Sequence, residues 1–149
     1  MQFPSSGLGT SVRVALSADA QRIAALAGQL GYEVPVDHVE RRLRAMDDAG
    51  TVLVAVVPRV GVVGWIGIAL HDTIVDSGRA DIEGLVIEDE YRGNRIGEIL
   101  VGAAESWARS HGCTSMRLVS NVVRERAHAF YKRLGYDVIK TQRAFKKTL

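Results

Sequence analysis

The sequence holds one cysteine, Cys113, so no disulfide can close within the chain and covalent staples are excluded as a source of stability. No apolar run approaches the roughly 20 residues that a membrane-spanning helix needs. The segment Met1 to Thr10 has neither a basic start nor an apolar core; with Pro4, Ser5, Ser6, Gly7 and Gly9 it reads as a flexible tail rather than a signal peptide. A cytoplasmic protein without a membrane partner is therefore expected. Neither sign of charge dominates, because 19 Lys and Arg stand against 17 Asp and Glu for a formal charge of +2, which provides no field for nucleic acid. The basic residues Arg41, Arg42 and Arg44 read as a solvated helix face with no aromatic platform nearby. Internal repeats, charge blocks and low-complexity linkers are also missing, so nothing marks a domain boundary.

The 149 residues, 47% hydrophobic and 24% charged, suit one globular domain over 11–149. Val12, Val14 and Leu16 alternate as in a short strand, and Ser17 and Asp19 offer caps to a helix carrying Ile23, Leu26, Ala27 and Leu30. A second helix is expected from near Asp37, with Val39, Leu43 and Met46 on one side and Gly50 as its stop. The apolar runs Thr51 to Val57 and Val62 to Leu70 flank a short turn and predict an antiparallel hairpin inside a sheet. A third run, Arg79 to Ile87, has Gly84 in its middle, which marks a bulge or a close backbone approach. The most regular helix follows, with Ile96, Ile99, Leu100, Ala103, Trp107 and Ala108 at helical spacing. A strand over Ser115 to Ser120, a helix from about Arg124 to Leu134, and final strands near Asp137–Lys140 and Arg143–Lys147 complete an α+β or mixed α/β layer around one sheet.

Between the third run and the long helix lies Tyr91-Arg92-Gly93-Asn94-Arg95-Ile96-Gly97-Glu98. The first amides of a helix lack intrahelical partners and sit at the positive end of its dipole, so a turn of this kind suits an anion. Gly93 and Gly97 let a ligand approach the backbone, and Arg92 and Arg95 add charge. The turn matches neither a P-loop nor a dinucleotide fingerprint, and from spacing alone Gly93 could equally relax a turn between solvated arginines.

The stretch from Leu85-Val86-Ile87 through Arg92 to Gly97 resembles the acetyl-CoA-binding motif of the GNAT superfamily of N-acetyltransferases, Gln/Arg-x-x-Gly-x-Gly/Ala. Arg92 and Gly97 match its outer positions, while Arg95 stands where the middle glycine is expected. Downstream, Ala127 to Tyr136, with Phe130-Tyr131 and Gly135-Tyr136, is similar to the family's late Ala-x-x-Phe-Tyr-x-x-x-Gly-Phe/Tyr segment. The resemblance implies the acyl-CoA N-acyltransferase fold: a mostly antiparallel sheet of about six or seven strands, splayed at the coenzyme site, with about four helices.

The same resemblance implies an enzyme that moves an acetyl group from acetyl-CoA to an amine, without a metal. Backbone groups near Leu85, Val86 and Ile87 would bond the pantetheine arm, and Arg92, Gly93, Asn94, Arg95, Ile96, Gly97 and Glu98 would hold the pyrophosphate. A protonated alkyl amine, with a pKa of about 10, must lose a proton before it attacks, and Glu83 is the candidate base, with Asp81 or a water relay as alternatives. Tyr131 occupies the family position of the acid that protonates the departing thiolate. Asn121 would bond the arm or cap the next helix. The expected acceptor is a small-molecule primary amine. A protein N-terminus or lysine is the alternative acceptor, and a non-catalytic acyl-CoA sensor is the alternative function. Similar proteins commonly form homodimers.

Overall fold

The computed structural model describes residues 7–149, so the first six residues of the expected tail lie outside the described ones. They divide into two compact units that meet in sequence at Leu118/Val119.

The first unit opens with β1 (Ser11–Val14) and a 3-10 turn, Ser17–Asp19, leading into α1 (Ala20–Gly28). The Asp19 carboxylate accepts the Leu16 amide at 2.8 Å and the Arg13 guanidinium at 2.7 Å, and the bond from Arg13 holds its pKa below the usual carboxylate range. Helix α2 (Val36–Ala45) ends earlier than its pattern predicts. Met46 turns extended, with φ −66° and ψ 128°, and the Asp47 side chain accepts the Ala49 amide at 2.9 Å, so Gly50 opens a strand instead of closing the helix.

The expected hairpin forms from β2 (Gly50–Val57) and β3 (Gly61–His71). Its turn places Arg59 and Gly61 at φ 67° and 104°. β4 (Arg79–Ile87), α3 (Ile96–Ser110) and β5 (Ser115–Leu118) follow. The strands lie in the order β1-β2-β3-β4-β5, antiparallel up to β4, with β5 parallel to β4. A crossover helix is what a parallel neighbour requires, and α3 supplies it.

Both faces of this sheet are covered, which explains why β2 and β3 read as nearly unbroken apolar runs. Val52, Val54, Trp65 and Val86 pack with Ile23, Leu26 and Val39 of α1 and α2. On the opposite face Gly64 brings the sheet close to α3: an added Cβ would lie 3.3 Å from Leu100 Cδ1 and 2.9 Å from the Val86 carbonyl. Leu100 is fully buried there, and truncation of such a leucine to alanine costs about 2–5 kcal/mol.

The second unit, Val119–Leu149, contains α4 (Glu125–Arg133), and Gly135 at φ 94° follows its end. Among the described residues the sheet has five strands rather than six or seven, because the expected strands near Asp137–Lys140 and Arg143–Lys147 form no ladder. Val138, Ile139 and Phe145 are exposed. Short apolar pairs flanked by charged residues suit an extended chain, but a strand also needs a partner edge, which local sequence does not encode. No described helix is long and apolar enough to cross a membrane.

Candidate active site

The segment joining β4 to α3 is fixed at its start and open at its end. The Glu88 amide donates to the Val63 carbonyl at 2.8 Å, and its carboxylate is held by Arg22 of α1 and by Nε2 of Gln29, the C-cap of that helix. A 3-10 turn over Asp89–Tyr91 follows, and Asn94 Nδ2 donates to the Tyr91 carbonyl at 3.0 Å, so the Asn94 side chain shapes the loop. Gly93 at φ 83° and Arg95 at φ 63° both adopt the left-handed conformation that turns the chain into α3. Arg95 is the N-cap residue, and no side chain caps the helix.

The first bond of this helix runs from the Ile99 amide to the Arg95 carbonyl at 3.0 Å. The amides of Arg95, Ile96, Gly97 and Glu98 therefore precede the ladder and face forward as donors. Arg92 pairs with Asp89 at 3.1 Å and Arg95 with Glu98 at 3.1 Å, their side chains 55% and 67% exposed. Exposed pairs contribute about 0–1 kcal/mol, so a multiply charged phosphate could recruit either guanidinium at small loss.

β4 leads into this turn with one edge unpaired. Its ladder with β5 ends at Ile82↔Leu118, while that with β3 continues to Ile87↔Gly64. Since the Glu88 amide points to β3, strand alternation turns the backbone groups of Leu85 and Ile87 toward the open edge and commits those of Val86 to β3. The Val86 side chain is buried in the core.

A bulge separates the paired and open parts of the strand. Ile82 pairs with Ile68 and Gly84 with Gly67, which leaves Glu83 without a cross-strand partner. A Cβ on Gly84 would lie 2.9 Å from the Trp65 ring, so glycine is required by the indole that packs on the bulge. Trp65 Nε1 is buried without a hydrogen-bond partner. Glu83 lines a cleft of about 180 Å³ with Arg42, Met46, Asp47, Gly50 and Ala69. Asp81 is committed elsewhere: Arg79 Nε donates to it at 2.8 Å and His71 Nδ1 lies 3.5 Å away. The bulge thus distinguishes the two acids that the sequence left as alternatives.

In the second unit, Asn121 Oδ1 accepts the Val123 amide at 3.1 Å, and its carbonyl is bonded by the Arg124 amide at 3.0 Å and His128 Nε2 at 2.9 Å. Asn121 and His128 together brace the start of α4. Tyr131 packs edge-on against Phe130 and Tyr136, with ring centroids 5.0 and 5.7 Å away. Burial pushes its phenol above the ordinary tyrosine range and outweighs the opposing effect of Arg124, so it carries its proton throughout neutral pH.

The first unit thus brings together Glu83, the Leu85–Ile87 edge and the Arg92–Glu98 turn. Arg42 is exposed, as its place on a basic helix face predicts, and it also borders the cleft, which the sequence reading did not foresee. The signal is its position beside the apolar stripe, three residues after Val39 and four before Met46 on one helical surface.

The chain is similar to known proteins. A model of the acetyltransferase (GNAT) family matches residues 20–136. The aminoglycoside N(6')-acetyltransferase type 1 of Stenotrophomonas maltophilia is 26% identical over 132 residues, spanning 85% of this chain and 86% of that protein. The structure of aminoglycoside 6'-N-acetyltransferase AAC(6')-Ih from Acinetobacter baumannii has a TM-score of 0.81 and 22% identity, covering 95% of this chain and 99% of its own. AAC(6')-Iy, solved with the bisubstrate analog CoA-S-monomethyl-acetylneamine, has a TM-score of 0.81 and 17% identity, with 94% and 99% covered. These two structures share its fold, and the family match spans most of its length: the chain belongs to the acetyltransferase (GNAT) family.

Proposed function

We infer that this chain moves an acetyl group from acetyl-CoA to the primary amine of a small molecule. The observation that carries this reading is the continuity of an unpaired β4 edge with the uncapped start of α3. An extended ligand with amide groups along one part and a diphosphate at the other fits both. Leu85 and Ile87 would bond the arm as an added strand does. Arg95, Ile96, Gly97 and Glu98 would bond phosphate oxygens through their amides, with Gly93 and Asn94 forming the turn and Arg92 contributing charge. Val86 would form the wall behind the arm.

The thioester supplies an activated acyl carbon and a thiolate leaving group. Glu83 takes the proton from the acceptor nitrogen, directly or through water, since an alkyl ammonium with a pKa of about 10 is not a nucleophile at neutral pH. A backbone amide on the open part of β4 polarises the acyl carbonyl. Tyr131, assigned by its place in the late family segment, holds the proton for the departing sulfur. Asn121 braces the start of α4 through its hydrogen bonds with Val123, Arg124 and His128. The family match crosses Leu118, so 11–149 is read as one domain that includes both units. The relatives named as aminoglycoside acetyltransferases support a small-molecule acceptor.

Calorimetric titration with acetyl-CoA, hydrogen exchange across the first turn of α3, and a thiol-release assay against an amine panel test the reading together. Binding with protection of Ile96 to Glu98, and amine-dependent release of free coenzyme, are the expected results. Absence of both heat and protection would falsify it.

A further inference from the structure

We propose that the acceptor carries an anionic group a few bonds from its amine, and that Arg42 binds this group while Glu83 receives the amine. The proposal rests on the acetyl-transfer reading of the site and adds the class of its acceptor.

The first argument is charge. Arg42 and Glu83 line one cleft between α2 and the β4 bulge, yet neither forms an ion pair or hydrogen bond with any described residue, nor with the other. Arg41 and Asp81 beside them are already paired. Arg41 pairs with Asp37 at 3.1 Å, and Asp81 is held by Arg79 and His71. Asp47, which also lines the cleft, accepts the Ala49 amide at 2.9 Å through one carboxylate oxygen and keeps its charge. An unpaired guanidinium and an unpaired carboxylate, both exposed and lining one cleft, match a ligand that carries both signs of charge. The guanidinium remains charged at any working pH and engages two oxygens of a carboxylate or phosphate in one plane. A second ammonium at that end of the acceptor would instead meet a like charge.

The second argument is size. The cleft volume of about 180 Å³ falls below the range of about 300–1,000 Å³ typical of sites that enclose drug-sized ligands. Its small dimensions are built into the backbone. Gly50 approaches the Ile68 carbonyl so closely that an added Cβ would lie 2.9 Å from it, and Ala45, Ala49 and Ala69 complete the lining. A short aliphatic amino acid or aminoalkyl phosphate fits within such a space.

The test uses acceptors of similar length that differ at the end remote from the amine: 3-aminopropanoate, 3-aminopropan-1-ol and 1,3-diaminopropane, with 2-aminoethyl phosphate as the phosphate arm. The full chain is assayed by thiol release, with acetyl-CoA binding measured separately by calorimetry. We expect kcat/KM for 3-aminopropanoate or 2-aminoethyl phosphate to exceed that of the alcohol at least tenfold, and the diamine to be poorest. The better of the two anions identifies the group. Arg42→Met should lower kcat/KM for the anionic acceptor at least tenfold more than for the alcohol, chiefly through KM, and Arg42→Lys should restore part of it. Arg42→Glu should shift the preference toward the diamine. A wild-type enzyme that prefers the diamine, or an Arg42→Met variant that affects all acceptors equally, overturns the proposal while the acetyl-transfer reading stands. Failure of acetyl-CoA to bind, with no thiol released for any acceptor, removes both.

Discussion

The two halves of β4 use the same backbone for different ends. From Arg79 to Ile82 the strand is paired on both edges, with β3 and with β5, and the Asp81 carboxylate is occupied by Arg79 and His71. From Glu83 to Ile87 it keeps only β3, and the side chain at its start is free of partners. One inserted residue separates these regimes. The lesson is that a bulge can convert a structural strand into a functional one by releasing a side chain from cross-strand pairing while a neighbouring strand still holds the backbone in place.

The strongest way to break this contrast is through the two acids that flank Ile82. Glu83→Gln is expected to lower kcat at least about 100-fold, the lower range for loss of a general base, with the Kd for acetyl-CoA unchanged. If steady-state kinetics show turnover within a fewfold of wild type, Glu83 is not the base. The bulge itself is tested by Gly84→Val, whose branched side chain would enter the volume of the Trp65 ring. Overpacking of this kind should remove about 2–3 kcal/mol in urea unfolding, and turnover should fall with it because Glu83 is re-aimed. Asp81→Asn should show the converse of Glu83→Gln. The Arg79 side chain is only 11% exposed and would lose its principal carboxylate, so a stability loss of about 1–2 kcal/mol is expected, with little change in kcat for the folded enzyme. A large fall in kcat without destabilisation would instead place Asp81 in the chemistry.

How much of this was legible in the sequence follows from the range of each signal. The hairpin, the long helix and the glycine turn depend on period and on neighbouring residues, and all were readable within a few positions. Gly84 was readable as an irregularity, but its cause was not, because the Trp65 ring that demands it comes from another strand. The choice between Asp81 and Glu83 needed the β3 register, which shifts between Gly67 and Ile68. Arg42 entered the cleft through the packing of α2 near the bulge, a long-range event that a basic helix face does not announce. The strands expected after Asp137 make the same point in reverse, since their short apolar segments were present and the partner edge was not.

The smallest expected effect concerns the residue that departs from the family pattern. Arg95 holds φ 63°, a conformation that costs a side-chain-bearing residue about 1–2 kcal/mol, and its ion pair with Glu98 is exposed enough to return little of that. Arg95→Gly removes the strain but adds about 0.5–1 kcal/mol of unfolded-state entropy, so the net gain in stability should be at most about 1 kcal/mol. Gly93→Ala is the matching opposite: nothing lies within 4 Å of the new methyl group, so its loss of about 1 kcal/mol would come from φ 83° alone. If the turn holds phosphate through amides, Arg95→Gly should alter acetyl-CoA affinity less than threefold, because the amide remains when the guanidinium is gone. A tenfold loss by calorimetry at physiological salt would show that side-chain charge, rather than the start of the helix, carries the binding.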